Sequence, residues 1–149
     1  MVLRKVLPLA WFALAIAVAV TLHLLAPGGR LVPFPWTLLG VAPIVLGAAL
    51  VLAAGLSLKR HGTTVKPLRR PRALVTGGAF RISRHPIYLG FVVAAGGAAL
   101  VLGTLTPWLP VAALALFLDV AFVRFEEQRL TEAFGTEWET YCSRVRRWL

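Results

Sequence analysis

Four runs of apolar residues, at about residues 6–26, 36–58, 87–105 and 108–125, constrain this chain more than any other feature. Each has roughly the 17–25 residues that a helix needs to cross about 30 Å of hydrocarbon. A soluble domain of 149 residues, 58% of them hydrophobic, would have to leave much of that surface in water. No water reaches the backbone inside a bilayer, so each run must satisfy its own N–H and C=O groups, which selects helices. The sequence therefore predicts an all-α integral membrane protein. One domain spans 1–149, with four transmembrane helices, a loop at 59–85, and C-terminal helices within 126–149 that end in an interfacial amphipathic helix.

The formal net charge of +10 would suit a nucleic-acid partner, but its placement argues against one. Arg4 and Lys5 precede the first run, and eight basic residues (Lys59, Arg60, Lys66, Arg69, Arg70, Arg72, Arg81, Arg84) lie between the second and third. Five more (Arg124, Arg129, Arg144, Arg146, Arg147) end or follow the fourth, leaving Arg30 alone on the opposite side. This is the positive-inside pattern, which places both termini in the cytoplasm and the basic residues against anionic headgroups. Arg4, Lys5 and the small residues at 17–19 also permit a signal-peptide reading of the first run, but its length of about twenty residues exceeds the usual ~7–15 and favours retention. Arginine outnumbers lysine 13 to 3 and asparagine is absent, which points towards a bacterial inner membrane. A single cysteine, Cys142, allows no internal disulfide and no thiolate metal cluster.

Small residues at four-residue spacing, Ala49 and Ala53 in the second run and Gly90 and Ala94 in the third, predict close helix packing. The loop at 59–85 is 27 residues long, and it carries Leu74, Val75, Phe80 and Ile82, apolar anchors that a solvated linker would not need. After the fourth run the helix is expected to continue to Phe134 and stop at Gly135. Thr136 and Glu139 read as a capping box. Trp138, Tyr141, Cys142, Val145, Trp148 and Leu149 then form an apolar stripe suited to the headgroup layer.

Two clusters carry chemistry. Arg84-His85-Pro86-Ile87-Tyr88 opens the third span, with Pro86 suited to the first helical position, where unpaired N–H groups attract an anion. Arg84 and His85 add donors, and Tyr88 adds a flat face with a hydroxyl. The second cluster is Glu126-Glu127, whose side chains leave the helix about 100° apart and so cannot face water equally. Asp119 is the one acid inside a span, roughly 10 Å deeper than Glu126 on the same helix. A buried acid faces either a pocket or a hydrogen-bonding partner. Arg124 could steer an anionic substrate or snorkel to the headgroups. His61 is a lesser candidate, and His23 reads as an interface residue.

Leu74-Val75-Thr76-Gly77-Gly78-Ala79-Phe80, then Arg84-His85-Pro86-Ile87-Tyr88-Leu89-Gly90, then Glu126-Glu127 with Leu130, Phe134-Gly135 and Tyr141, resembles the isoprenylcysteine carboxyl methyltransferase and phospholipid methyltransferase superfamily. Gly62-Thr63 fits its bacterial members. The resemblance covers about residues 60–147 and implies a membrane methyltransferase that uses S-adenosylmethionine. It carries the cofactor site onto Leu74, Val75, His85, Pro86, Tyr88, Glu126 and Glu127, with Arg84 beside them and Phe80 where the family often has tyrosine. Methyl transfer from a sulfonium needs placement more than acid–base help, so no dedicated catalytic base and no metal are expected. The acceptor is expected to be a lipophilic small molecule or lipid-modified substrate bearing a thiol, carboxylate or amine. A nicotinamide-dependent membrane reductase and a small four-helix transporter working through Asp119 are the competing readings.

Overall fold

The computed structural model describes residues 7–62 and 73–149. The expectations for Arg4, Lys5, Thr63, Lys66, Arg69, Arg70 and Arg72 lie outside the described residues. Among those described there are five α-helices: α1 (Pro8–Leu25), α2 (Trp36–Arg60, opening in a 3-10 turn), α3 (Pro86–Leu102), α4 (Trp108–Phe134) and α5 (Thr136–Arg144). Helices α1, α2 and α4 are long and apolar enough to cross a membrane, and α3 is a shorter apolar helix of 17 residues. The protein is thus an all-helical integral membrane protein, as its apolar runs require.

Helix α3 is the central element. It packs along α2 on one side and against α1 and α4 on the other. Its buried Tyr88, Phe91, Ala95 and Ala99 join Leu114, Leu118, Phe122 and Val123 of α4 in the core. The expected small-residue contact is only half right. Gly90 and Ala94 are buried on α3, but Ala49 and Ala53 face outward. The face of α2 that meets α3 is instead Gly40, Gly47 and Ala54, spaced by seven rather than four.

The third span stops at Leu102, short of the predicted Leu105, because Gly103 takes a left-handed conformation (φ +71°) that closes the helix. Leu105 then donates its N–H to the Gly29 carbonyl, and the link between α1 and α2 docks there. His23 lies at this end, its Nδ1 2.8 Å from Thr104 Oγ1.

Helix α4 runs unbroken to Phe134, as expected, and contains one π-helical turn at Asp119–Val123. Gly135 ends it with positive φ. The predicted capping box does not form. Gly135, not Thr136, is the N-cap of α5, and no side chain caps that end. The apolar stripe also ends early, because α5 stops at Arg144 and Val145 is extended (φ −124°, ψ 132°). Trp148 and Leu149 therefore leave the helix face assigned to them, and the chain crosses back towards α3.

Candidate functional site

The start of α1, the end of α2, the start of α3 and the later part of α4 meet at one end of the bundle, the end that carries most of the basic residues among those described. Between them lies a cavity of about 510 Å³. Its wall is formed in part by Leu74, Val75, Phe80, Arg84, His85, Pro86, Tyr88 and Glu126, which are eight of the nine residues expected to hold a cofactor. The ninth, Glu127, is not part of the wall. The rest of the lining is mostly apolar: Leu7, Pro8 and Leu9 of the α1 entry, Val51, Leu52, Leu56 and Leu58 of α2, and Ile87 and Phe91 of α3.

Pro86 sits in the first turn of α3, as the sequence predicts, with His85 as the N-cap. The backbone N–H of His85 donates to Ser83 Oγ at 3.1 Å. The imidazole is buried, its side chain 2% exposed, and it lies over the Tyr88 ring with centroids 5.8 Å apart. Tyr88 donates its hydroxyl to Glu126 Oε2 at 3.1 Å. His85 Nδ1 stands 3.8 Å from that same oxygen, and His85 Nε2 stands 3.5 Å from Glu127 Oε1. The third and fourth helices thus converge on His85 and Glu126, residues 41 positions apart in sequence.

His85 Nε2 is fully buried against Glu127, whose Oε1 at 3.5 Å is the polar atom beside it. Glu126 is partly exposed, with its side chain 37% accessible, and can accept further bonds. Glu127 differs: Arg84 takes Oε1 at 3.2 Å, and Arg147 takes Oε2 through NH2 at 2.5 Å and Nε at 3.0 Å.

Asp119 and Arg124, the two substrate candidates, do not line this cavity. The π turn sets Arg124 Nε 2.8 Å from Asp119 Oδ2, and Trp148 Nε1 donates to Asp119 Oδ1 at 3.3 Å. Asp119 is therefore hydrogen-bonded and lies outside this cavity wall. Arg124, its side chain 62% exposed, is held by that acid outside the cavity wall. His61 is exposed and bonded locally to the Ser57 carbonyl.

Sequence reasoning gave Ser83, Trp138 and Arg147 no part in the site. It noted Tyr141 as a family match and assigned it no role. Tyr141 is buried and donates to the Phe80 carbonyl at 2.6 Å, fixing the short turn Gly78–Arg81 that carries Phe80. Burial pushes its hydroxyl up to about 12 against the pull of Arg84, so it stays a donor. Tyr141→Phe leaves that carbonyl without its donor, with an expected loss of about 1–3 kcal/mol in thermal or denaturant unfolding.

An integral membrane bundle with a polar-lipped, apolar cavity at one end is the class of protein that this fold and site define. The sequence model of the Phospholipid methyltransferase family matches residues 35–137, and the chain belongs to that family. It is also 31% identical over 113 residues to "Protein-S-isoprenylcysteine O-methyltransferase B" of Arabidopsis thaliana, a match covering 71% of this chain. The match spans about half of that relative, 55% of its length. No solved structure matches the chain. Enzymes of this family use S-adenosylmethionine.

The residues present fit that cofactor. A cavity of about 510 Å³ lies within the roughly 300–1,000 Å³ usual for cofactor pockets. Its wall offers the His85 imidazole, the Glu126 carboxylate with free acceptor capacity, and two aromatic side chains, Phe80 and Tyr88. A molecule carrying a carboxylate, an ammonium, ribose hydroxyls and an adenine needs groups of these kinds.

Proposed function

We propose that this chain transfers a methyl group from S-adenosylmethionine to a lipophilic acceptor that reaches the cavity from the bilayer. The observation that carries the proposal is the cavity of about 510 Å³ whose wall brings His85 and Tyr88 of α3 together with Glu126 of α4. His85, Tyr88, Glu126, Pro86 and Arg84 form the polar end that would hold the cofactor. Leu74, Val75 and Phe80 supply the apolar surface beside it. Glu127 belongs to the same site through its contacts with Arg84 and His85.

When bound, S-adenosylmethionine supplies an electrophilic methyl group on a sulfonium sulfur. The work of the protein is then placement and the exclusion of water. His85, held from behind at its backbone N–H by Ser83, presents a fixed nitrogen. Glu126, oriented by the Tyr88 hydroxyl, offers a carboxylate to an ammonium or to ribose hydroxyls. Apolar side chains from α1, α2 and α3 line the remainder and suit the hydrocarbon part of an acceptor. A thiol, a carboxylate and a lipid amine are all compatible with such walls. Most basic side chains gather at this end of the bundle, which supports a cytoplasmic, inner-membrane placement of the site.

The test is calorimetric titration of the purified full chain in detergent with S-adenosylhomocysteine and, separately, with NADPH. Saturable binding of S-adenosylhomocysteine alone is expected. Binding of NADPH without S-adenosylhomocysteine would replace the proposal with the reductase reading. The transporter reading loses its motive, because Asp119 is engaged by Arg124 and Trp148.

A further inference from the structure

Residues 145–149 do something that the cavity residues alone do not explain. The segment leaves α5 in extended backbone and crosses between the start of α3 and the Asp119–Glu127 stretch of α4. Its carbonyls hold the approach to α3. Val145 accepts from Arg84 Nε at 2.7 Å, Arg146 from the Arg84 backbone N–H at 3.1 Å, and Arg147 from Ser83 Oγ at 2.9 Å. Ser83 Oγ accepts in turn from the backbone N–H of His85. Ser83 is fully buried, so water does not reach its hydroxyl.

The side chains of the same segment grip α4 at two depths. Arg147 takes Glu127 Oε2 through two nitrogens, and Trp148 donates its indole N–H to Asp119. Asp119 and Glu127 are eight residues apart, about 12 Å along the helix, and the Arg147 guanidinium, with Nη1 3.9 Å from Asp119 Oδ1, reaches both carboxylates. Glu127 then has both oxygens occupied, with Oε1 3.5 Å from the buried His85 Nε2. The hydrogen bond to Glu127 also raises the pKa of Arg147, as expected of a guanidinium that is held by its partner.

We infer that Arg147, with Trp148 and Asp119 as its anchor, is a positioning residue: it fixes Glu127, and through Glu127 and Ser83 it sets the orientation of His85 towards the cavity. The inference rests on the proposed cofactor role of His85. It adds that residues 145–149, which do not line the cavity, set how well the cavity binds. Glu127 is accordingly the hinge between the two and not a direct ligand.

The test uses Arg147→Met in the full chain, with Arg144→Met at an exposed position as the comparison. Arg147→Met is expected to weaken S-adenosylhomocysteine binding about tenfold, the effect of losing roughly 1.4 kcal/mol. In a Glu127→Gln background it should add less than about twofold, because the two residues act as one unit. Equal affinity of Arg147→Met and the parent, or fully additive losses in the two backgrounds, would overturn the inference. A second readout needs no cofactor: carbethoxylation of His85 by diethylpyrocarbonate, followed by mass spectrometry. Arg147→Met and Trp148→Phe should raise the rate at His85 and leave exposed His61 and half-buried His23 unchanged. Unchanged protection of His85 would sink the positioning role. A rise at His23 as well would mean general loosening and would sink it too. If the parent chain binds no S-adenosylhomocysteine, the methyltransferase proposal fails and the modification rates still decide the role of Arg147.

Discussion

His85→Ala is expected to weaken binding of S-adenosylhomocysteine by roughly tenfold to a hundredfold, with little change in the unfolding midpoint of the ligand-free protein. The sign follows from the place of the imidazole. Its ring belongs to the cavity wall beside Glu126, with Nδ1 3.8 Å from Glu126 Oε2, where a bound ligand would meet it. A hydrogen bond to a charged ligand group contributes about 1.5–3 kcal/mol, and each 1.4 kcal/mol is a factor of ten in affinity. Truncation removes that bond together with the flat contact on Tyr88. The ligand-free fold loses little, because the backbone N–H of His85 keeps its bond to Ser83 and Pro86 still opens the helix. Calorimetry and a thermal melt on the same preparation separate the two effects. Undiminished affinity would remove His85 from the site.

Much of the architecture is legible in the sequence because lipid simplifies the signal. A membrane helix is announced by composition over some twenty residues, and all four runs became helices. What sequence periodicity could not convey was which small residues face a neighbour. Ala49 and Ala53 fit the four-residue spacing as well as any pair, yet the partner helix selected Gly40, Gly47 and Ala54. Choosing among small residues requires knowing where α3 lies. The π turn at Asp119–Val123 has no glycine or proline to mark it, and it turns Asp119 away from the cavity and onto Arg124. The stripe from Trp138 to Leu149 was read as one helix because its spacing is faultless. Arg84 and Ser83, some 60 residues earlier, capture the carbonyls of residues 145–147 and draw the chain out of the helix. The cofactor candidates, by contrast, came from the resemblance of the Leu74–Phe80, Arg84–Gly90 and Glu126–Glu127 stretches to a known family, and eight of the nine line one cavity. The apolar half of the cavity was invisible, since Leu7, Leu52 and Phe91 look like any lipid-facing side chains.

Gly47→Leu should be the most damaging single change outside the cavity, because it separates the two helices that the site depends on. Helices α2 and α3 run antiparallel, with Gly40 opposite Gly97 and Gly47 opposite Gly90. A Cβ at Gly47 would stand 2.4 Å from the Gly90 carbonyl oxygen and 2.8 Å from the Ala94 nitrogen, both backbone atoms that no rotamer change can move. A Cβ at Gly40 would meet the Gly97 oxygen at the same 2.4 Å. Water does not drive helices together in lipid. Contact between backbones does, and here it rests on these glycines. Overpacking a tight core typically costs about 1–3 kcal/mol, and leucine at a backbone contact should reach or exceed the top of that range. Gly55 makes the opposite prediction on the same helix. A Cβ there meets nothing within 4 Å, so Gly55→Ala should be neutral or stabilising by up to about 1 kcal/mol through helix propensity. Thermal unfolding in detergent should therefore place Gly47→Leu well below the parent and Gly55→Ala at or above it. Gly47→Leu should also lose S-adenosylhomocysteine binding, since Val51 and Leu52 on the displaced helix form part of the cavity wall. If Gly47→Leu were as stable as the parent, α2 and α3 would not meet along this face, and the cavity at their ends would have to be built differently.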